Sequence, residues 1–261
     1  MNLPFKIKYQ IFKFVSELYG LNLSKQKKGI RILMYHSVGT PVEEDLYNIY
    51  NIHPELFSHH AEMMKNHETN VISLTEKNIY LAESGIIVTF DDGFANNFET
   101  ALPILNSYNI PFSVFITTNY VKEKKKHFLS KEQIKELSNY ENIKIGSHAM
   151  NHVYLETLDK PALYNEPTGS KDFLEDLIGK EIDAISYPNG SVNVRVRDIC
   201  EEIGYKIGLT SWPNINNFNQ DPLLLSRNAI WSIDSTKILK QKIDGKWDWM
   251  RYRYTDPRFK D

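Results

Sequence analysis

Two adjacent carboxylates stand directly after an apolar run in the first half of the chain. The apolar, β-branched residues 86–90 lie between two glycines and predict a buried strand, with Asp91 and Asp92 at its carboxyl end. Parallel α/β folds place their chemistry at that end of their strands. Because successive side chains leave a strand in different directions, one carboxylate can bind a metal while the other accepts a proton. Asp-Asp-Gly is also ordinary turn composition, so the motif needs support from elsewhere.

Two histidines four residues apart follow another predicted strand at residues 143–147. On one helical turn, or in a tight loop that imitates it, His148 and His152 face the same way. Two imidazoles and one aspartate form a set of three ligands that leaves positions open for water and substrate. The alternative is a pair of loop histidines bonded to backbone. The Asp pair upstream favours the metal site.

Two later segments complete a recognisable pattern. A predicted strand at residues 184–187 leads into Pro-Asn-Gly, and residues 223–230 contain Ser-Arg-Asn. With the Asp-Asp-Gly and His-x-x-x-His motifs in this order, the chain resembles the polysaccharide deacetylases, which are carbohydrate esterases built on the NodB-type domain. Residues 33–38, Leu-Met-Tyr-His-Ser-Val, resemble the first strand of the branch that deacetylates poly-N-acetylglucosamine. The resemblance spans residues 30–245.

The resemblance implies roles for the residues of these motifs. Asp92, His148 and His152 are expected to bind a divalent metal, and Asp91 is expected to act as the general base. The backbone N–H of Asn189 is expected to face the developing oxyanion. Zinc is the expected ion because mixed nitrogen and oxygen ligation in an open site suits it, with cobalt, nickel and iron as alternatives.

Three positions depart from the family's most common pattern. Ala149 follows the first histidine where many members have Ser or Thr, so one loop hydrogen bond must come from elsewhere. Ser186 stands where an arginine often orients the base. The last motif lacks the histidine that often acts as general acid, and His36 is the expected substitute by resemblance to the poly-N-acetylglucosamine branch. Alternatively, His36 has a structural role and is hydrogen-bonded to Asp91. Arg227 can also orient Asp91.

Composition excludes several classes of protein. The chain has 261 residues, of which 41% are hydrophobic and 25% charged, as in ordinary globular domains. A net charge of −2 gives no reason to expect nucleic acid as a partner. Cys200 is the single cysteine, so the chain forms no internal disulfide. No run approaches the roughly 18 apolar residues of a membrane-spanning helix. No secretory signal is visible, which favours a cytoplasmic location or a peripheral one at the inner face of the membrane.

Predicted strands and helices alternate from residue 30 onward, which indicates a parallel sheet with helical crossovers. The predicted strands cover residues 30–36, 70–72, 86–90, 112–116, 143–147, 184–187, 206–210 and 229–233. The predicted helices cover residues 54–66, 96–108, 130–137, 170–178, 192–203 and 235–243. About seven such units suggest a closed barrel. The resemblance implies an α/β fold of one particular kind, the distorted (β/α)7 barrel of the NodB type.

Two terminal segments flank the barrel predicted at residues 30–245. In the first, residues 1–29, six lysines accompany a single glutamate. Its apolar residues fall at helical spacing: Ile7, Ile11, Phe14, Val15, Leu18 and Leu21. Such a basic amphipathic helix can lie on an anionic membrane, and the alternative is that its apolar face packs on the barrel. The second, residues 246–261, is rich in Trp, Tyr and Arg and could form a sugar-binding rim or cap the barrel.

The function predicted is metal-dependent removal of an acetyl group from an N-acetylated sugar, in a cell-surface polysaccharide or its precursor. An N-acetylated glycan is the expected partner, with peripheral contact to an anionic membrane as a further one; the oligomeric state is not predicted. One alternative is a deformylase or deacetylase of a lipid-linked sugar, which the basic N-terminus would suit. Another is a catalytically inactive carbohydrate-binding domain. The intact Asp91 beside three candidate ligands argues against the latter. Trp212 is either a wall for the substrate's acetyl methyl group or a core residue.

Overall fold

A computed structural model describes residues 5–21, 28–39, 45 and 48–260 of the chain. The strands in this part of the chain are β1 (Ile30–Tyr35), β2 (Ser37–Val38), β3 (Asn51–Ile52), β4 (Gly85–Phe90), β5 (Phe112–Ile116), β6 (Ile143–Ser147), β7 (Ala184–Ser186), β8 (Ile207–Leu209) and β9 (Asn228–Ala229). Seven of them form one parallel sheet in the order β8-β7-β6-β5-β4-β1-β9, and β2 pairs with β3 separately. Strand order follows chain order through most of the sheet.

Helices alternate with these strands along the chain. The α-helices described are α1 (Phe5–Leu21), α2 (Pro54–Lys65), α3 (Glu76–Leu81), α4 (Leu102–Ser107), α5 (Thr118–Lys122), α6 (Lys131–Ser138), α7 (Lys160–Ile178), α8 (Val194–Ile203) and α9 (Thr236–Ile243). Short helical turns occur at Asn97–Ala101, Leu155–Thr157, Pro188–Gly190, Asp248–Arg253 and Pro257–Phe259. None of the described helices combines the length and the apolar character needed to cross a bilayer.

The central strands are buried along their whole length, which explains their nearly continuous apolar sequences. The sheet is curled, and its two ends approach each other where Leu209 in β8 pairs with Leu225, shortly before β9. The N–H of Thr210 also donates to the Leu225 carbonyl at 2.8 Å. This curled seven-stranded parallel sheet confirms the predicted distorted (β/α)7 architecture.

Register brings the predicted site residues to one edge of the sheet. Tyr35 of β1 pairs with Phe90 of β4, so His36 and Asp91 leave neighbouring strands at the same level. The N–H of Asp91 donates to the Tyr35 carbonyl at 3.0 Å. Ser147 of β6 ends level with β5, and the histidine motif follows directly. Parallel pairing thus gathers motifs that are far apart in sequence.

Three predicted elements differ from those observed. Residues 70–72 form only a single bridge, from Val71 to Ile86, and the last strand covers residues 228–229 rather than 229–233. Helix α7 begins at residue 160, ten positions before the predicted start. Asp159 caps it and Pro161 lies in its first turn, while Pro167 lies inside it, where proline normally argues against a helix. Burial of the helix on the sheet outweighs that local cost. A capping box starts α6: the Ser130 hydroxyl accepts from the Gln133 N–H, and the Gln133 side chain accepts from the Ser130 N–H.

The two terminal segments pack against each other. Tyr9 and Phe12 of α1 form a buried apolar cluster with Trp231, Trp247 and Met250. The indole N–H of Trp249 donates to the Ser16 hydroxyl at 2.8 Å. Two lysines of the basic segment, at positions 25 and 27, lie outside the described residues.

Candidate active site

Asp92, His148 and His152 converge beyond the carboxyl ends of β4 and β6. The Nε2 atoms of His148 and His152 lie 3.3 and 3.2 Å from Asp92 Oδ1. One ligand atom from each residue lies within 4.8 Å of the other two. Asp92 Oδ1 is buried and has no hydrogen-bond partner among the described residues. A carboxylate oxygen without a donor, facing two imidazole nitrogens, fits a divalent cation with mixed nitrogen and oxygen ligation.

Backbone contacts fix which nitrogen of His148 faces Asp92. The Nδ1 atom of His148 lies 2.7 Å from the Ser186 carbonyl oxygen. A carbonyl can only accept a hydrogen bond, so Nδ1 carries a proton and, in the neutral ring, Nε2 presents its lone pair toward Asp92. A metal-binding histidine is commonly oriented by such a second hydrogen bond.

Four residues in and around this group have left-handed backbone conformations although they are not glycine. Their φ angles are 74° at Asp92, 57° at Ala149, 53° at His152 and 57° at Asn189. Each such conformation costs about 1–2 kcal/mol for an L-residue and persists only where the surroundings enforce it. The fold therefore holds these loops in the geometry that brings the ligands together.

The histidine loop is tethered by Glu166, a buried residue that the sequence did not single out. Its Oε2 accepts hydrogen bonds from the N–H groups of Met150 and Asn151, both at 3.0 Å. The N–H of Ala149 donates to the Ser147 hydroxyl at 3.1 Å. These contacts supply the loop hydrogen bonds that Ala149 cannot make. Glu166 lies in the first half of α7, which was not predicted as helix because it contains two prolines.

Asp91 is held by the guanidinium of a buried arginine that directly precedes β9. Arg227 donates from Nη1 to Asp91 Oδ1 at 2.7 Å and from Nη2 to Oδ2 at 2.6 Å. The Ser186 hydroxyl donates to Asp91 Oδ2 at 3.0 Å, and Arg227 Nε donates to the Thr210 carbonyl at 2.8 Å. Arg227 is fully buried and lies behind Asp91, outside the pocket lining. It therefore positions Asp91 in place of the arginine that the family often has at position 186.

Electrostatics keep both carboxylates ionised. Burial raises the pKa of Asp91, but the Arg227 guanidinium, followed by His148, brings it below its ordinary value. Burial also raises the pKa of Asp92, and the facing imidazoles of His148 and His152, when they are protonated and no cation lies between them, bring it well below that value. A metal ligand and a proton acceptor both need to be deprotonated at neutral pH, and this environment provides that.

His36 directly follows β1, and its ring packs at a tilt against Tyr50, with 4.4 Å between the ring centroids. Its Nδ1 is buried without a hydrogen-bond partner. Within the described residues no hydrogen bond joins His36 to Asp91. Burial lowers the pKa of His36, although Asp92 and Asp91 oppose that effect.

These residues line one open pocket of about 500 Å³, a size typical of small-molecule sites. Its lining includes six of the predicted site residues: His36, Asp91, Asp92, His148, His152 and Asn189. Five aromatic residues form much of the remaining wall: Tyr50, Phe94, Tyr154, Trp231 and Tyr254. Trp212 is absent from this lining and borders a neighbouring groove, so Trp231 is the tryptophan available to substrate. The aromatic wall joins distant parts of the chain, and no local motif indicated it.

The chain is similar in sequence to known polysaccharide deacetylases. Residues 80–208 match the family model described as polysaccharide deacetylase. YxkH of Bacillus subtilis, which is named for the same family, is 27% identical over 202 residues, covering 75% of this chain and 69% of that protein. Poly-β-1,6-N-acetyl-D-glucosamine N-deacetylase of Staphylococcus aureus is 26% identical over 202 residues, covering 69% of each.

A solved structure shares the fold. The deacetylase PplD of Streptococcus pyogenes, solved in complex with acetate, superimposes with a TM-score of 0.74 at 26% identity. The alignment covers 82% of this chain and 98% of PplD. The NodB-type deacetylase fold predicted from the motifs is thereby confirmed.

Proposed function

We propose that this chain removes the acetyl group from an N-acetylated sugar of a polysaccharide or its precursor, with the help of a bound metal ion. The proposal starts from the polysaccharide deacetylase domain that the chain carries, a hydrolase of carbon–nitrogen bonds. The observation that carries this proposal is the set Asp92, His148 and His152 beside the clamped Asp91, all in one open pocket. We propose zinc as the ion because of the ligand set.

A divalent cation bound there would polarise the acyl carbonyl and lower the pKa of the attacking water toward about 7. Asp92, His148 and His152 are the residues that would hold it. Asp91, held by Arg227 and Ser186, accepts the proton of the attacking water as its oxygen adds to the acyl carbon.

Two further groups complete the hydrolysis. The backbone N–H of Asn189 donates to the oxygen that gains negative charge as the carbonyl is attacked. His36 supplies a proton to the amide nitrogen as the carbon–nitrogen bond breaks, and the products are acetate and the free amino sugar. The aromatic wall of the pocket suits the apolar faces of sugar rings.

The proposal is tested by incubating the purified protein with matched N-acetylated and N-formylated oligosaccharides and lipid-linked sugars, and measuring acetate and formate release. Acetate release from the N-acetylated saccharides would support it. Formate release alone would move the assignment to a deformylase. No release from any saccharide, with metal bound and substrate binding intact, would favour a carbohydrate-binding domain.

We expect His36→Ala to lower kcat by about 10²–10⁴-fold while metal content stays unchanged, because a general acid is lost and no ligand is removed. An acid works only when protonated, so activity that depends on His36 falls as the pH rises through its pKa. Since burial lowers that pKa, the basic limb should lie at lower pH than for an ordinary histidine. The measurement is a pH–rate profile of both proteins; full activity in the variant would return His36 to a structural role.

We expect Arg227→Lys to raise the pKa of Asp91, because an ammonium cannot reproduce the paired hydrogen bonds of the guanidinium. A base works only when deprotonated, so the acidic limb of the pH–rate profile should move to higher pH, with kcat lower by about 10–100-fold. Ser186→Ala removes only one of the hydrogen bonds and should show a smaller shift in the same direction. An unmoved acidic limb in Arg227→Lys would contradict the positioning role.

A further inference from the structure

Helix α1 has two apolar faces on opposite sides. The inner face packs on the barrel through Tyr9, Phe12 and Ser16, all buried, with Phe5 at its edge. The outer face carries five large apolar side chains that are 48% to 81% exposed: Ile7, Ile11, Phe14, Leu18 and Leu21. At about 100° per residue, the centres of the two faces lie on opposite sides of the helix axis.

The inner face alone accounts for the docking of α1. Phe5 and Tyr9 make edge-to-face contacts with Trp231, at 5.5 and 5.9 Å between ring centroids. The Tyr9 hydroxyl donates to Asp234 Oδ1 at 2.8 Å, and Ser16 accepts from the Trp249 indole at 2.8 Å. Within the described part of the chain, the outer stripe therefore takes no part in packing. Exposed apolar patches usually mark interaction surfaces.

Charge flanks the outer stripe on both sides. Lys6 and Lys13 lie on one side and Lys8 on the other, each roughly 100–120° from the centre of the stripe. Among the residues that the structure describes, Lys6 and Lys8 form no ion pair. Glu17, the helix's only acidic residue, is engaged by the Gln241 amide at 2.7 Å and by Lys237 at 3.4 Å. Lysines at the edges of an apolar stripe can extend their ammonium groups past it.

We propose that the outer face of α1 binds an anionic lipid surface, with the apolar stripe entering the headgroup boundary and Lys6, Lys8 and Lys13 contacting lipid phosphates. A helix that lies in the plane of such an interface has this combination of an apolar stripe and flanking basic residues. Its 17 residues would extend roughly 25 Å along the surface.

The docked helix adjoins the catalytic pocket. Trp231, whose ring contacts Phe5 and Tyr9, also lines the pocket that contains Asp92 and the two histidines. Binding of α1 to a membrane would thus bring the pocket close to glycans carried there. This last step rests on the proposed function, whereas lipid binding itself does not.

The test is co-sedimentation of the full chain with vesicles of phosphatidylcholine containing phosphatidylglycerol, compared with vesicles of phosphatidylcholine alone. Binding should be stronger to the anionic vesicles and should weaken as salt is added. The double variant Lys6→Glu, Lys8→Glu should reduce the partition coefficient by at least about 25-fold, since each basic residue near the surface contributes about fivefold. The matched control Lys65→Glu, Lys77→Glu changes two exposed lysines elsewhere and should bind as the unmodified chain does.

The stripe is tested with Phe14→Ser, Leu18→Ser, which should weaken binding by at least about tenfold. The control Phe218→Ser, Leu81→Ser removes a Phe and a Leu of comparable exposure outside α1 and should leave binding unchanged. Unchanged thermal unfolding and deacetylation of a soluble substrate establish that each variant is folded. Equal binding to both vesicle types, no binding to either, or a dimer that dissociates in the stripe variant would overturn the proposal.

Discussion

Asp91→Asn is expected to lower turnover by about 10²–10⁴-fold while the protein keeps its full metal content, because an amide cannot accept the proton that the carboxylate accepts. Asp91 makes two hydrogen bonds to Arg227 and one to Ser186, and none to the histidines of the ligand set. Its loss should therefore change the chemistry of the pocket without removing a ligand. The measurements are acetate release under saturating substrate and metal per chain on the same preparation.

The same substitution places amide hydrogens opposite a buried guanidinium, so some loss of stability is expected as well. Thermal unfolding distinguishes that loss from a loss of chemistry, since a folded variant without turnover identifies the base. Ser186→Ala is the matched control, because it disturbs the same hydrogen-bond network while leaving the carboxylate in place. Turnover within a few-fold of the unmodified protein would remove Asp91 from the mechanism.

Asp92→Asn is expected to lose both metal and turnover, in contrast to its neighbour. Asp92 Oδ1 faces both His148 and His152, and an amide oxygen carries no net charge with which to hold a cation. Replacing a residue that only hydrogen-bonds to a metal ligand already lowers the affinity for the metal by about 10–100-fold. Removing the charge of a ligand itself should lower it by at least that much. Metal titration of the two variants side by side gives the comparison.

This comparison is informative because Asp91 and Asp92 are adjacent and have the same side chain, so they differ only in their surroundings. If Asp91→Asn and Asp92→Asn lost metal to the same extent, the division between base and ligand would be wrong. If neither lost metal, the ion would be held elsewhere and the assigned set would have no such role.

Much of the candidate site was predictable because its residues follow strands. Asp91, Asp92 and His148 each come directly after an apolar run, and parallel pairing brings the carboxyl ends of such runs to one edge. Local periodicity therefore predicted not only the elements but also the meeting of motifs separated by more than fifty residues. The alternation indicated about seven units, and the main sheet has seven strands, since the additional predicted strand at residues 70–72 forms only a bridge.

The supporting contacts were not predictable in this way. Arg227 reaches Asp91 across 136 positions of sequence, and no local pattern identifies such a pair. The expectation that Arg227 orients Asp91 came from the resemblance to the family and not from periodicity. Glu166 was missed because the prolines at 161 and 167 concealed the first half of α7, and tertiary packing outweighed their local cost. The aromatic wall of the pocket likewise depends on how loops from different strands meet.

Helix α1 shows a further reason why sequence pattern is incomplete. Its periodicity predicted the apolar stripe of Ile7, Ile11, Phe14 and Leu18. From sequence alone, this stripe could be covered either by the barrel or by a membrane. The structure shows that a second stripe, with Tyr9 and Phe12, makes the contact with the barrel. Two apolar stripes on one helix cannot be ranked by periodicity, because the choice depends on the surface that receives them.

The central claim, a metal-dependent deacetylase built on Asp92, His148 and His152, is tested most directly by restoring metal to chelated protein. Acetate release from an N-acetylated oligosaccharide is followed while zinc is added back in small steps. We expect no release without metal, a rise to a plateau at one ion per chain, and no response in the variant with all three residues changed to Ala. Full release from the metal-free protein, or an equal response in the triple variant, would contradict it.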